Sequence, residues 1–137
     1  YKDMLQKIKP AGFVFENVSG ILNMEKGEVF KMIKEELSSV GYDVKHWVLQ
    51  SENYGVPQKR KRVFIIGIRK GEIFPNEPTP VTLDNHISAQ DAISDLPPLE
   101  AGQDGTNFDY STQPNSLYQS LMRNKITVEE YLVKLQN

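Results

Sequence analysis

The sequence predicts an α/β fold, and three observations indicate it. A short apolar run at residues 11–15 is followed by an amphipathic helical pattern and then by a second run of β-forming residues. This order makes a βαβ unit, so the first two strands are expected to run parallel, with a right-handed crossover. A third apolar run at residues 62–69 follows through a loop without a crossover helix, which predicts an antiparallel strand.

The first elements are predicted from apolar runs and their spacing. A helical pattern at Met4–Ile8 is followed by Pro10, which breaks the chain, and the run Ala11–Phe15 predicts a buried strand. Residues 26–40 predict a helix with one apolar face, because these side chains recur three or four positions apart: Phe30, Ile33, Leu37 and Val40. Gly41 follows the last of them, as is typical of a helix C-terminus.

The next two strands enclose a loop. Residues 43–50 predict the second strand, and Ser51–Gln58 predicts a loop because it contains glycine and proline. The third strand, at residues 62–69, is apolar almost throughout, so we expect it inside the sheet and covered on both faces. Because it runs antiparallel, it should start at the edge of the sheet where the first two strands end. Ligands bind at that edge in open α/β sheets.

The second half of the chain is acidic and rich in proline. Residues 1–70 carry 13 basic and 8 acidic residues, a net charge of +5, whereas residues 71–137 carry 3 and 10, a net charge of −7. Three helices are predicted there, at residues 89–96, near 115–123 and at 128–136. Capping boxes begin the first and last of them, Ser88 with Asp91 and Thr127 with Glu130.

The composition excludes several classes of protein. The chain has 137 residues and no cysteine, which excludes a disulfide framework, a thiolate metal site and a cysteine nucleophile within it. No run approaches the ~18 apolar residues of a membrane span. The two histidines, His46 and His86, lie far apart and lack a metal-binding spacing. We therefore expect neither a membrane nor a metal among the partners.

Two polar clusters are candidates for chemistry. Glu16 directly follows Phe-Val-Phe, so its carboxyl group is expected to be half-buried and able to hydrogen-bond a heterocyclic base. The alternative is a cap or loop carboxylate at a strand end. Residues 58–62 include four consecutive basic side chains, which favour phosphate contacts. The alternatives are a solvated surface run, a nuclear localisation patch, or charges that protect a sheet edge.

The basic run divides into two sides if the chain there is extended. Gln58, Arg60 and Arg62 point to one side, and Lys59 and Lys61 point to the other. One side therefore offers an amide and two guanidinium groups, which suit bidentate hydrogen bonding. The other side offers point charges that can remain in water.

The two clusters together resemble motifs of the cytosine-5 DNA methyltransferases. Phe15–Val18 is similar to that family's Glu-Asn-Val motif, and Tyr54–Arg62, with the strand Val63–Gly67 behind it, is similar to its Gln-x-Arg-x-Arg motif. The intervening helix fits, and the resemblance continues through residues 91–98 before it weakens beyond about residue 101. It implies the C-terminal half of a Rossmann-like S-adenosylmethionine-dependent methyltransferase sheet, with parallel strands plus one antiparallel strand, and then a mostly helical or irregular segment.

The resemblance implies a reaction on DNA. Members of the family transfer a methyl group from S-adenosylmethionine to carbon 5 of a cytosine that is flipped out of the duplex. A cysteine thiolate adds to carbon 6, and an acid at N3 assists because the addition places electron density on the ring. We expect part of a DNA (cytosine-5-)-methyltransferase of a restriction-modification system, acting in the bacterial cytoplasm with DNA as partner and S-adenosylmethionine as cofactor.

The resemblance also assigns roles to individual residues. Glu16 is expected to contact N3 and the exocyclic amine of cytosine, and Asn17 to hold the turn and orient its neighbours. Arg62 is expected to contact the cytosine O2 oxygen and to help position Glu16. Arg60 is expected to support the catalytic loop or a phosphate. Gln58 is predicted, with Glu16 and Arg62, to bind the substrate.

Two motifs of the family are absent from the chain. It contains neither the Phe-x-Gly-x-Gly cofactor loop nor the Pro-Cys-Gln nucleophile motif. We therefore interpret it as an internal fragment that is inactive alone and whose cofactor is bound mainly by other parts of the enzyme. Residues 1–100 are predicted to be the second half of the catalytic domain, and residues 101–137 a linker and the truncated start of the target-recognition region. Any self-association is expected to be non-physiological.

Two alternative functions remain open from the sequence. The same chemistry would serve a methyltransferase that acts on RNA cytosine, such as one in tRNA, and nothing in residues 1–70 excludes it. A non-catalytic nucleic-acid-binding module that uses the basic run is the other alternative. The acidic second half and an isoelectric point near 5.7 count against that module.

Overall fold

The computed structural model describes residues 1–135, which divide into two compact units. Of the described residues, one unit comprises residues 1–50 and 60–79, and the other comprises residues 51–59 and 80–135. The helices are α1 (Lys2–Ile8), α2 (Glu28–Ser38), α3 (Ala89–Ile93), α4 (Leu117–Met122) and α5 (Val128–Leu135). The strands are β1 (Gly12–Val18), β2 (Tyr42–Gln50) and β3 (Lys61–Arg69).

The first unit is built on a three-stranded sheet with β3 in the centre. β3 pairs antiparallel with β1 and with β2, so that Phe64 lies between Glu16 on one side and Trp47 on the other. The predicted antiparallel direction and inner position of β3 are confirmed. β1 and β2 therefore run parallel to each other in one sheet, as expected, but β3 lies between them. Every strand pair among residues 1–135 is antiparallel, so the parallel strands of a Rossmann-like sheet are not confirmed.

β1 continues three residues beyond its predicted end at Phe15. The ladder with β3 includes Glu16, Asn17 and Val18, the last of which lies opposite Arg62. The prediction was wrong because it ended the strand at the first polar residue. Hydrogen bonding to β3 continues regardless of side-chain polarity. Glu16 and Asn17 are consequently strand residues with fixed directions.

The hydrophobic core lies between one face of this sheet and the helices α1 and α2. Its buried members come from all of these elements and the turn after β1: Leu5, Phe13, Ile21, Leu37, Tyr42, Val63 and Ile65. Phe13 also explains a glycine in the central strand. A Cβ atom at Gly67 would lie 2.1 Å from the Phe13 ring, so only glycine fits opposite that side chain.

The helix predicted at residues 26–40 is confirmed in position but is shorter. It begins at Glu28 because three preceding residues adopt left-handed conformations, with φ of 47° at Glu25, 57° at Lys26 and 94° at Gly27. It ends at Ser38, and Gly41 takes a φ of 97° in the turn to β2.

The second face of the sheet is closed at its centre and open along β1. Ile66 of β3 is 3% exposed, while Val63 and Ile65 are buried on the other face, so the prediction that β3 is covered on both faces is confirmed there. By contrast, Val14 is 63% exposed and Val18 is 53% exposed. This leaves an apolar surface on β1.

The second unit contains the three predicted short helices. The capping box of Ser88 and Asp91 begins α3, which ends at Ile93 rather than at residue 96. The other capping box also forms, since Thr127 N donates to the Glu130 carboxylate over 2.7 Å. α4 lies within the predicted range, and α5 is confirmed to Leu135. The predicted final helical residue, 136, lies outside the described residues.

A buried ion pair organises this second unit. The Asp95 carboxylate is 1% exposed and accepts two hydrogen bonds from the Arg123 guanidinium, over 2.8 and 3.1 Å. Arg123 also stacks on the Tyr110 ring, 4.5 Å from its centroid. Bidentate geometry and the aromatic contact offset part of the desolvation cost of the two charges.

Candidate active site

Glu16 and Arg62 form an ion pair across β1 and β3. The Arg62 Nε atom lies 2.8 Å from the Glu16 Oε1 atom. The two residues are diagonal neighbours, because Arg62 lies opposite Val18 and Glu16 lies opposite Phe64. Diagonal neighbours on one face of an antiparallel pair are within reach of long side chains. The predicted convergence of these two residues is confirmed.

The two partners differ in exposure. The Arg62 side chain is 18% exposed, whereas the Glu16 side chain is 45% exposed, which matches the half-buried carboxyl expected from the sequence. Arg62 is further fixed by a hydrogen bond from its Nη1 to the Lys61 carbonyl oxygen, over 2.8 Å. The guanidinium is therefore held by protein on two sides, while the carboxyl group still faces solvent.

This geometry can bind a planar polar ring. A guanidinium has five N–H donors, so the bonds of Arg62 to Glu16 and Lys61 leave donors for a carbonyl oxygen. A carboxyl group offers one oxygen that accepts a hydrogen bond and, when protonated, a second that donates one. An adjacent amine and ring nitrogen on a ligand would match the two oxygens of Glu16.

Asn17 occupies the other side of the same strand end. Its Oδ1 accepts a hydrogen bond from the Val18 N–H over 2.8 Å, directly before the turn at Ser19–Leu22. Asn17 lies opposite Val63, on the face away from Glu16. It therefore contacts the backbone at the exit of β1.

The basic run is only partly brought to this site. Arg60 and Lys61 are exposed at the start of β3 and belong to the same compact unit as Glu16 and Arg62. Gln58 and Lys59 are exposed and belong to the other unit, in the loop of residues 51–59. The structure thus groups Arg62 with Glu16 and assigns Gln58 to a separately packed loop.

That loop is held by a residue which sequence reasoning missed. Thr82 is 2% exposed and hydrogen-bonds the backbone at Glu52 and at Gly55. His86 Nε2 lies 2.9 Å from the Asn53 Oδ1, and it must carry the hydrogen because an amide oxygen only accepts. No local pattern indicates these contacts, which join residues about 30 positions apart. The only available signal was a small hydroxyl residue in a proline-rich stretch.

Two other kinds of feature are absent from the described residues. Among residues 1–135 no group of three or more His, Asp or Glu side chains could hold a metal ion. In the same part of the chain no helix has the length and hydropathy needed to cross a membrane.

The residues after β1 lack one feature that is typical of nucleotide-type cofactor sites. Nucleotide-type cofactors bind where a glycine-rich turn leads from a strand directly into a helix N-terminus. Here two 3-10 turns, Ser19–Leu22 and Met24–Gly27, separate β1 from α2, and the carboxylate of Glu28 occupies the first turn of that helix.

Comparison with known proteins shows the family. The C-5 cytosine-specific DNA methylase family matches residues 1–135, and the chain belongs to this family. It is 42% identical over 121 residues to the type II methyltransferase M.DdeI of Desulfomicrobium norvegicum, covering 83% of this chain and 29% of that protein. It is 36% identical over 140 residues to the type II methyltransferase M.Bpa9945I of Bacillus paralicheniformis, covering 90% and 32%.

Eukaryotic relatives match as well. DNA (cytosine-5)-methyltransferase 4 of Arabidopsis thaliana is 31% identical over 147 residues, covering 88% of this chain and 10% of that protein. The chain thus spans about a third of the two bacterial relatives and a tenth of the plant relative. S-adenosylmethionine is the methyl donor of the family in general.

Proposed function

We propose that this chain is part of a DNA (cytosine-5-)-methyltransferase in which Glu16 and Arg62 hold the flipped cytosine. The observation that carries the proposal is the ion pair of a half-exposed carboxyl group with a partly buried guanidinium, 2.8 Å apart. One Glu16 oxygen accepts a hydrogen bond from the exocyclic amine. A proton taken up from water when the base binds lets the other Glu16 oxygen donate to N3, and Arg62 donates to O2. These contacts match three adjacent polar atoms of cytosine.

The same contacts account for rate enhancement. When a nucleophile adds to carbon 6, the π electrons of the carbon 5–carbon 6 double bond are displaced into the rest of the ring. They raise the negative charge at N3 and O2. A proton from Glu16 at N3 and the positive charge of Arg62 at O2 stabilise that charge. Carbon 5 then has an electron pair with which to take a methyl group.

We propose further that the chain is inactive alone. It has no cysteine to attack carbon 6, and its length is about a third of that of its bacterial relatives. In this proposal the nucleophile and most of the cofactor site lie in other parts of the enzyme, and the sheet is completed there to a Rossmann-like one. The exposed Val14 and Val18 support this, because large apolar side chains on a sheet favour burial by further protein. Self-association of the isolated chain through this surface would be non-physiological.

The remaining predicted residues take supporting roles in this proposal. Asn17 holds the exit of β1 through its bond to Val18, and Arg60 supports the catalytic loop or a phosphate. Gln58 contacts the substrate from its own loop. Residues 1–100 form the second half of the catalytic domain, and residues 101–137 lead into the target-recognition region.

The substrate in this proposal is DNA of a restriction-modification system in the bacterial cytoplasm. Two relatives, 42% and 36% identical to this chain, are named type II methyltransferases, and a third is named a DNA (cytosine-5)-methyltransferase. RNA cytosine is the alternative that the chemistry leaves open. A comparison of duplex DNA with tRNA as methyl acceptors separates the two, and methylation of tRNA alone would overturn the DNA assignment.

The site assignment is tested in the complete enzyme that contains this chain. Glu16→Gln keeps the shape of the side chain but removes its acidic proton, and we expect methyl transfer to slow by ~10²-fold or more. Arg62→Ala should have an effect of similar size. Glu35→Gln is the matched control, since Glu35 is exposed on α2 and lies outside the strands that carry Glu16 and Arg62. Rates within about twofold of wild type in both site variants would refute the assignment.

A further inference from the structure

Thr82 is the one buried residue in an otherwise exposed segment. From Pro75 to His86 every other residue is exposed, whereas Thr82 is 2% exposed. A small polar side chain gains little from burial for its own sake, since its hydroxyl must find partners. Its burial therefore indicates a specific set of hydrogen bonds.

Those hydrogen bonds all reach the loop of residues 51–59. The Thr82 hydroxyl donates to the Glu52 carbonyl oxygen over 2.7 Å and accepts from the Gly55 N–H over 2.9 Å. The backbone N–H groups of Val81 and Thr82 both donate to the Asn53 carbonyl oxygen, over 2.9 and 3.1 Å. Four hydrogen bonds from two consecutive residues thus fix the first half of the loop.

The Gly55 bond determines how the loop continues towards Gln58. Gly55 has a φ of 81°, a left-handed conformation in which the chain reverses. Val56 N–H then donates back to the Ser51 carbonyl oxygen, and Gln58 N–H donates to the Val56 carbonyl oxygen over 2.7 Å. Because each step depends on the orientation of the preceding peptide, the Gly55 N–H bond to Thr82 sets the direction from which Gln58 leaves the loop.

We propose that Thr82 is a positioning residue that fixes the loop of residues 51–59 so that Gln58 is held ready for the substrate. The proposal rests on the proposed function in one respect, namely the contact of Gln58 with the substrate. The Thr82 hydroxyl itself hydrogen-bonds the loop backbone at Glu52 and Gly55. Its hydroxyl is the required feature, because valine has the same shape but can neither accept from Gly55 nor donate to Glu52.

The first experiment measures amide hydrogen exchange in the 137-residue chain. In the wild type the Gly55 amide should exchange at least about tenfold more slowly than its intrinsic rate. Thr82→Val should remove about tenfold of that protection, and Thr82→Ser should retain it. Thr112→Val is the control, since Thr112 is exposed in the same unit. An unprotected Gly55 amide in the wild type, or equal protection in the valine variant, would refute the proposal that the Thr82 hydroxyl fixes the loop.

The second experiment measures steady-state kinetics in the complete methyltransferase. Thr82→Val should raise the KM for DNA by about tenfold and change kcat by less than about threefold, since a displaced Gln58 weakens substrate binding. Thr82→Ser should restore the wild-type KM. A lowered melting temperature with an unchanged KM would show a purely structural role and overturn the positioning role.

The two experiments separate this inference from the function on which it rests. If the wild-type enzyme methylates no DNA, the proposed function and the positioning role both fail. The exchange data still decide whether the Thr82 hydroxyl fixes the loop. If Thr82→Val does not fold, the wild-type exchange and Thr82→Ser kinetics remain decisive. Loss of Gly55 protection in the serine variant, which keeps the hydroxyl, would contradict the proposal that this hydroxyl fixes the loop.

Discussion

The Glu16–Arg62 pair should contribute little to stability, and this can be measured with a double-mutant cycle. The variants are Glu16→Gln, Arg62→Met and the double variant, of which Arg62→Met keeps the apolar stem. The pair is short, at 2.8 Å, but Glu16 is 45% exposed and is therefore screened by water. Exposed ion pairs typically couple by ~0.2–1 kcal/mol, and the 18% exposure of Arg62 places this pair near the upper end.

The assay is urea unfolding followed by the fluorescence of Trp47, the single tryptophan of the chain, which lies opposite Phe64 in the sheet. We expect a coupling free energy of about 0.5–1 kcal/mol at low ionic strength. At 1 M salt the coupling should fall to less than about half of that value because exposed charges are screened. A coupling above about 2 kcal/mol that salt does not change would refute the reasoning, since it would describe a desolvated pair.

A weak pair is also what the proposed function requires. Cytosine must exchange some of the contacts between Glu16 and Arg62, or the water around them, for its own hydrogen bonds. A strongly coupled pair would oppose that exchange. The measured coupling therefore bears on how readily the site accepts a base.

Three further predictions concern packing and pH. Arg123→Ala leaves the buried Asp95 carboxylate unpaired and should cost ~3–5 kcal/mol in the free energy of unfolding of the second unit, measured by urea denaturation; a loss below about 1 kcal/mol would contradict the structure. Gly67→Ala forces a methyl group into the Phe13 ring and should cost at least ~1–3 kcal/mol by the same assay. Burial raises the pKa of the Tyr131 hydroxyl, and the neighbouring Tyr118 raises it by a smaller amount. The contribution of Tyr131 to the free energy of unfolding is therefore present in full below pH ~10, the pKa of an unfolded tyrosine, and is lost as the pH rises through the higher folded-state pKa. Tyr131→Phe should remove this alkaline loss of stability, and an unchanged profile would refute it.

Periodicity predicted most of the elements because the core determines them. α2 and the three strands carry apolar residues at the spacing needed to pack against one face of the sheet. The bounds of all four elements were predicted within a few residues. The end of β1 was wrong because backbone pairing continues through Glu16 and Asn17 whatever their side chains are. The start of α2 was wrong because the left-handed residues before Gly27 leave no signal in hydropathy.

The candidate site was predictable only where chain direction determines it. Since β3 runs antiparallel to β1, its first residues must meet the last residues of β1, and this placed Arg62 beside Glu16. Thr82 could not be predicted, since its hydrogen bonds to Glu52 and Gly55 join segments 27 to 30 positions apart and depend on the path of a proline-rich chain. The packing of Gln58 in a separate compact unit likewise has no local signature.

The most direct test of the central claim is tritium release from carbon 5 of cytosine in duplex DNA, measured with the complete enzyme without methyl donor. Addition at carbon 6 makes carbon 5 nucleophilic, so carbon 5 takes up a proton from water and can then lose its tritium. The rate of tritium release therefore reports the addition step that Glu16 and Arg62 are proposed to assist. The account predicts release ~10²-fold slower in Glu16→Gln and unchanged in Glu35→Gln. Equal release from wild type and Glu16→Gln would contradict it.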